Sequence, residues 1–240
     1  MKLIETIKNI WKIEDLRNRL LTTVLLVMIY RFGSYVVLPG IDPTALSALK
    51  SQTQGGLLAL LDMFSGGAFA NASVFALGIM PYISASIVIQ LLTIAVPYFQ
   101  KMQREGESGR RKMNQFTRYL TVGILLLQGP SYLVNLSVQL AQAGSAIPNG
   151  FLFTVSSTLI LCGGSMFVMW LGERITDKGI GNGISFLILV GIIARFPGAI
   201  IKEFASRLND QGGGLVMFLG ELIFLLIVIA ASILLVQGTR

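Results

Sequence analysis

Histidine is absent from the sequence, and cysteine occurs once, at Cys162, inside an apolar run. Histidine is the commonest general base and metal ligand, and a lone cysteine in an apolar run behaves as a small hydrophobic residue. These absences argue against a disulfide framework and a zinc site. The sequence also offers no nucleophile paired with a base. We therefore expect a protein that is not an enzyme and that has no metal or cofactor.

Phosphate-binding loops are also missing. The glycine-rich stretch GIGNGIS at 179–185 has isoleucine where the dinucleotide-binding fingerprint needs its third glycine, and no predicted strand precedes it. The segment GESGRRK, which begins at Gly106, lacks the GK[ST] ending of a P-loop. Neither stretch predicts nucleotide binding.

Charged residues are few. They make up 13% of the 240 residues, and hydrophobic residues make up 53%, whereas a soluble domain has about 25% charged residues. Several apolar runs reach the ~20 residues that a helix needs to cross a bilayer. Strict alternation of apolar and polar residues, which is typical of outer-membrane barrels, is absent. The composition predicts an all-α, polytopic helical membrane protein.

Six membrane spans are predicted, preceded by a basic amphipathic helix that lies on the membrane surface over residues 1–19. Arg31 interrupts the first span and is expected to pair within the bundle, and Pro81 should kink the second. Two polar loops, at 98–118 and 172–182, separate successive spans on one side of the membrane. The spans cover about residues 20–38, 72–96, 117–141, 151–171, 183–201 and 215–236.

Lysine and arginine are unevenly divided between the two sides of this layout. Fourteen lie in the N-terminal helix, the two polar loops and the last residues, and four lie in the segments on the opposite side. Cytoplasmic loops carry the excess of positive charge in membrane proteins. We therefore predict a cytoplasmic N-terminus.

The stretch 62–97 combines a short helix with a long one. Residues 57–64 are apolar but too few to cross the bilayer, and Gly66 and Gly67 then break the chain. Two spans carry isoleucines four residues apart, a spacing that puts side chains on one helix face. They are Ile79, Ile83 and Ile87 in the second span and Ile180, Ile184 and Ile188 in the fifth. Such a stripe usually faces lipid or a neighbouring helix. Beside a short helix that could act as a stopper, it also suits the wall of a constriction.

Several motifs together resemble those of the SecY family of protein-conducting channels. The six-span layout and the basic N-terminal helix fit the same family. The motifs are RFGSYVVLPGID (Arg31–Asp42), MFSGGA (Met63–Ala68), FALGIMPYISASI (Phe75–Ile87), EGESGRRK (Glu105–Lys112), MFVMWLGERITDKGIGNGIS (Met166–Ser185) and VQGTR (Val236–Arg240).

The resemblance implies roles for three sets of residues. The pore ring would consist of Ile79, Ile83, Ile87, Ile184 and Ile188, with Ile180 extending the line. The plug would cover about residues 57–70, centred on Met63, Phe64, Ser65, Gly66, Gly67 and Ala68. Cytoplasmic docking would use Arg104, Arg110, Arg111 and Lys112. The second and third spans would form one side of a lateral gate.

The resemblance also implies a function. The chain would belong to the central subunit of the Sec translocon in the bacterial plasma (inner) membrane, with SecE and SecG as partner subunits. It would be a passive pore that accepts signal peptides and nascent chains, conducts unfolded secretory polypeptides and releases membrane segments sideways into lipid. SecA or the ribosome would drive this transport.

One departure from the family is evident, because SecY proteins resemble two inverted halves of five spans each. Here residues 20–201 would form the first half, and residues 202–240 a loop and the sixth span. The remaining C-terminal half would then be a further partner. Two other classes stay open: a small-solute secondary transporter, which also uses broken helices and inverted repeats, and a structural scaffold. The basic residues at 101–118 could likewise serve only to fix topology.

Overall fold

The computed structural model describes residues 12–42, 57–142, 150–209 and 214–238. These ranges contain α-helices and turns, and their one recorded β-contact is an isolated antiparallel bridge between Val37 and Ser73. The all-α prediction is confirmed. The helices are α1 (Glu14–Gly33), α2 (Leu57–Phe64), α3 (Met80–Ala95), α4 (Pro97–Arg104), α5 (Glu107–Gln142), α6 (Phe151–Lys178), α7 (Gly183–Asn209) and α8 (Gly214–Gly238).

Four of these helices, α5 to α8, are long and apolar enough to cross a membrane, and α3 with α4 forms a fifth candidate that is bent by 98°. The chain is a multi-pass helical membrane protein, as predicted. The described residues nevertheless contain four or five qualifying spans instead of six. The first predicted span does not qualify, because every stretch of 18 residues in its helix contains at least three charged residues, Arg17, Arg19 and Arg31.

The second predicted span differs most from expectation. Its helix, α3, begins at Met80 instead of near residue 72, and Pro81 lies in its first turn. Proline is well tolerated there, since the first N–H groups of a helix have no intrahelical partner, so the predicted kink is wrong. With 16 residues, α3 is about 24 Å long, too short for a hydrocarbon core of ~30 Å.

Residues 65–79, which we call the turn segment, precede α3 and include the residues from 72 to 79 that were predicted as its first turns. They cannot continue as a helix because Gly66, Gly67, Ala72 and Gly78 all have positive φ. Non-helical backbone at membrane depth is tolerated where protein encloses it. Most of the turn segment is buried accordingly.

Hydrogen bonds from three directions hold the turn segment. The backbone N–H of Leu38 donates to the carbonyl of Ala72 at 2.9 Å, and that of Val74 donates to Val36 at 2.9 Å. The Tyr132 hydroxyl of α5 donates to the carbonyl of Phe69 at 2.9 Å. These bonds satisfy backbone groups that would otherwise be costly to bury.

Both predicted polar loops are largely helical, which corrects the sequence analysis. In the first, Val96 is extended before Pro97, as residues preceding proline tend to be, and the chain turns sharply into α4. Gly106, at φ +73°, then connects α4 to α5. In the second, α6 runs on to Lys178 because its buried face continues through Leu171 and Ile175. Residues 179–182 alone connect it to α7.

The chain divides into two compact units, Met1–Ile192 and Ile193–Arg240. In the first unit α5 packs against α3 and α6, and α1 packs against α6. One apolar core of this unit joins Leu38, Phe69 and Ala72 to Tyr132, Leu136 and Leu161.

In the second unit, Phe204 and Phe218 meet edge to face at 5.6 Å. Arg207 donates to Glu203 and to Glu221, each at 2.8 Å. Most of the predicted surface helix at 1–19 lies outside the described residues, as do residues 43–56 and 143–149.

Candidate functional site

A second apolar core, which we call the central cluster, brings two separate helices together. Ile79, the residue before α3, is buried in it, and Ile83 packs against it one turn later. From the first turns of α7, Ile184 and Ile188 pack against the same cluster. The other buried members are Tyr30, Ala68, Phe75, Val168, Leu171, Ile175 and Leu187. Four of the six spaced isoleucines are thus gathered at one place.

The other two isoleucines lie elsewhere. Ile87 is 51% exposed on α3, and Ile180 is 39% exposed in the connection before α7. Neither belongs to the central cluster. A spacing of four residues could not separate these two isoleucines from the other four. Each step of four residues rotates the side chain by about 40° around the helix axis, so the ends of such a row point in different directions.

The start of α7 is fixed by polar contacts, and this positions Ile184. The side-chain carbonyl of Asn182 accepts the backbone N–H groups of Ile184 and Ser185, at 3.1 and 3.4 Å. The hydroxyl of Thr176 on α6 accepts the N–H of Gly183 at 2.9 Å. An N-cap of this kind typically stabilises a helix by about 1 kcal/mol.

Glycine lets α7 begin directly against α6. A Cβ on Gly183 would lie 2.0 Å from the carbonyl oxygen of Gly172, and a Cβ on Gly172 would lie 3.0 Å from the Ile184 side chain. The close approach of α6 and α7 therefore explains why the motif GERITDKGIGNGIS has glycine at these two positions.

The predicted plug residues divide between α2 and the turn segment. Met63 and Phe64, at the end of α2, are half-buried, whereas Ser65, Gly66, Gly67 and Ala68 are buried. Ala68 is fully buried in the central cluster, beside Ile79 and Leu187. The plug prediction therefore combines a short helix with backbone that is part of the core.

Asp62 organises the turn that follows α2. Its carboxylate accepts the backbone N–H of Ala70 at 2.8 Å, and its backbone carbonyl accepts the N–H of Gly67 at 2.9 Å. The same carbonyl accepts the Ser65 hydroxyl at 3.0 Å, and the hydroxyl oxygen in turn accepts the N–H of Phe69 at 3.1 Å. Asp62 is 2% exposed. A carboxylate at the end of an apolar run was the signal that could have found this role.

The predicted docking residues all lie on the surface around the α4–α5 turn. Arg104, Arg110, Arg111 and Lys112 are exposed. Arg111 pairs with Glu107 at 2.8 Å, and Lys112 pairs with Glu105 at 3.4 Å. Gly109 allows this hairpin to close, because a Cβ there would lie 1.7 Å from the carbonyl of Met102.

Several buried residues of the central cluster were not predicted from the sequence, and Leu187 and Tyr30 are two of them. Leu187 is 1% exposed and lies three residues after Ile184, a spacing that also puts both on one helix face. Tyr30 is buried against Phe75, with ring centroids 6.2 Å apart. The described residues contain no group of three or more His, Cys, Asp or Glu side chains that could hold a metal ion.

Comparison with known proteins identifies the family of this chain. The family model described as SecY matches residues 73–240. The chain belongs to the SecY family. The motifs that carry the resemblance, from FALGIMPYISASI to the C-terminal VQGTR, fall largely within the matched range.

Several relatives bear the name "Protein translocase subunit SecY". The SecY of Pseudomonas aeruginosa is 47% identical over 194 residues, which cover 81% of this chain and 43% of the relative. That of Escherichia coli K12 is 43% identical over 226 residues, covering 94% and 50%. That of Streptomyces scabiei is 41% identical over 240 residues, covering 96% and 54%. The chain thus spans about half the length of the curated SecY relatives that it matches.

Proposed function

We propose that this chain forms the N-terminal portion of a protein-conducting channel, the central subunit of the Sec translocon. The observation that carries the proposal is the central cluster, in which isoleucines from α3 and α7 converge. These helices lie far apart in sequence and supply the same type of branched side chain. Membership of the SecY family gives this convergence its functional meaning.

The chemistry of the cluster suits a seal around a moving polypeptide. Branched aliphatic side chains offer no hydrogen bonds to a threading chain, and a narrow apolar constriction resists wetting. Ions are therefore excluded while an extended chain can slide. A pore that opened sideways would release apolar segments into lipid, where each buried CH₂ contributes about 0.8 kcal/mol.

Closure would involve α2 and the turn that follows it. The end of α2 lies close against α7. A Cβ added to Gly191 of α7 would be only 3.0 Å from the carbonyl oxygen of Phe64. Ala68 fills part of the central cluster itself. In this proposal α2 is the movable part of the plug and the buried turn segment is its attachment.

The remaining assignments follow from the same proposal. The protein would lie in the bacterial inner membrane with its N-terminus in the cytoplasm, and it would assemble with SecE, SecG and the C-terminal half of the channel. The exposed basic residues of the α4–α5 turn suit docking of the ribosome or SecA, since both attachments would be steered by charge.

Crosslinking tests the proposal directly. In a Cys162→Ser background, Ile83→Cys should form an adduct with a secretory chain stalled during export, because Ile83 borders the central cluster. The assembled complex is used, and the adduct is detected by its mass on a denaturing gel.

Ile94→Cys is the matched control, since Ile94 lies on the same helix and is 74% exposed. It should give no adduct with the stalled chain. Ile87→Cys tests whether the ring includes Ile87, as the sequence predicted, or only the isoleucines of the central cluster. We expect a weak adduct or none. An equal yield at Ile83 and Ile94 would contradict the proposed route.

Charge reversal tests the docking surface. Replacing Arg110, Arg111 and Lys112 by glutamate should weaken binding of SecA or ribosomes at least about tenfold at low salt, and the difference should shrink as ionic strength rises. Binding to membranes that contain the assembled complex is measured by sedimentation. Reversal of Arg17 and Arg19 on α1, which pair with Glu14 and Asp15, is the control. Unchanged binding of the triple variant at every salt concentration would leave the turn a purely topological feature.

A further inference from the structure

Two consecutive residues of α1 hold two consecutive carbonyls just after α2. The Tyr30 hydroxyl donates to the carbonyl of Ser65 at 3.3 Å, and Arg31 Nη1 donates to the carbonyl of Gly66 at 2.9 Å. Arg31 Nη2 also donates to the Tyr35 hydroxyl at 3.3 Å, and its guanidinium lies 5.5 Å from the centre of the Tyr35 ring. The guanidinium is therefore held by Tyr35, two residues beyond the end of α1, and directed at the turn.

The backbone at Gly66 is enclosed from both sides. A Cβ on Gly66 would lie 2.9 Å from Arg31 Nη1 and 2.9 Å from the Cα of Gly191 in α7, and its φ of +65° suits glycine. The peptide thus passes between α1 and α7 with no space for a side chain. A small displacement of this peptide would move α2.

The two flanks of Gly66 differ in how firmly they are held. After it, the turn segment is bound by Tyr132, by Asp62 and by the backbone of residues 36 and 38. Before it lies α2, in which Asp62 is buried, Met63 and Phe64 are half-buried and Leu60 is 50% exposed. Ser65 and Gly66 therefore form the junction between a mostly buried segment and a helix that is only partly buried.

We infer that Arg31 is a positioning residue for channel closure, which fixes the end of α2 through its hydrogen bond to the Gly66 carbonyl. A hydrogen bond from a charged donor is about twice as strong as a neutral one. Arg31 also lies in the last turn of α1, where the helix dipole favours a cation. The inference rests on the proposed function, because closure has meaning only for a channel.

The experiment compares Arg31→Gln with the unchanged protein as the assembled complex in nanodiscs and proteoliposomes. Hydrogen exchange of the peptide covering 62–70 should become about tenfold faster, because the lost bond lets the junction open more often. Resting ion conductance should rise without any signal sequence. Arg31→Lys keeps the charge but lacks the planar fork, and it should restore both readouts in part.

Two controls separate this role from general loosening. Arg19→Gln removes an arginine from the same helix whose guanidinium pairs, among the described residues, with Asp15 in its own first turn, so neither readout should change. Exchange in the α6 peptide around Leu161, which is fully buried, should stay constant in every variant. Equal acceleration there and at 62–70 would mean that Arg31 is merely structural, which overturns the inference.

The inference and the proposed function fail in different ways. If Arg31→Gln changes neither readout while serine at Ile83 and Ile184 makes the membrane leak, the channel stands and the inference is wrong. Arg31→Gln could also speed exchange at 62–70 without raising conductance, while the variant with Ile83→Ser and Ile184→Ser leaks. That result would likewise overturn a role of Arg31 in closure. If no variant ever leaks but exchange at 62–70 still rises, the contact is upheld and the channel proposal fails.

Discussion

Replacing Gly164 by alanine is expected to lower the free energy of unfolding by about 3 kcal/mol, the upper range for overpacking a core. A Cβ there would lie 2.1 Å from the carbonyl oxygen of Val74, which belongs to the turn segment. Because the obstacle is backbone and not a flexible side chain, α6 or the turn segment must shift. The shift would also disturb the bond between Val74 and Val36.

Gly163→Ala is the matched control for this prediction. The neighbouring glycine is exposed on the same helix, and a Cβ there meets nothing within 4 Å. Alanine at an exposed helix position is neutral or stabilising by up to about 1 kcal/mol. The temperature at which detergent-solubilised protein loses its monodisperse size-exclusion peak should fall by about 6–12 °C for Gly164→Ala only. Equal behaviour of the two variants would refute the close contact.

Serine at both Ile83 and Ile184 is expected to raise resting ion conductance more than about tenfold. Each isoleucine contributes about 1.5–3 kcal/mol of apolar contact, and about 1.4 kcal/mol corresponds to a factor of ten. Serine also hydrogen-bonds to water, which favours wetting of a constriction. Conductance is measured across planar bilayers containing the assembled complex.

Ile87→Ser provides the comparison, because Ile87 lies outside the central cluster and is half-exposed. It should leave conductance within about twofold of the unchanged protein, since surface substitutions away from packed groups usually alter free energies by ~0.5 kcal/mol or less. A leak of similar size from Ile87→Ser and from the double variant would mean that the seal is wider than the cluster. Unchanged ion conductance in both Ile87→Ser and the double variant would argue against a channel.

The features that the sequence predicted well are those with a strong physical signal. Long apolar runs such as 151–171 predicted α6, and the glycine pair after residue 64 correctly ended α2. The isoleucine spacing found Ile79, Ile83, Ile184 and Ile188, all of which meet in the central cluster. The domain boundaries, the pore, plug and docking roles and the inverted repeat stay predictions.

The features that it missed depend on tertiary contacts. Apolar residues at 72–79 read as helix, yet the chain turns there because Leu38, Val36 and Tyr132 supply hydrogen bonds that the sequence does not reveal. The charged residues at 105–112 read as a loop, yet α5 begins at Glu107, since charge on an exposed helical turn costs little. Arg31 does find a partner within the bundle, as expected, but the sequence could not show that this partner is the backbone carbonyl of Gly66.

The burial of the turn segment also constrains how the protein is made. Its backbone is satisfied by partners on both sides in sequence, from Val36 to Tyr132, and its neighbour Gly164 is synthesised about ninety residues later. During synthesis, residues 65–79 therefore cannot reach their final environment until α6 has left the ribosome. Until then its backbone lacks the later partners, Tyr132 and the close-packed face of α6 at Gly164, that enclose it in the folded protein.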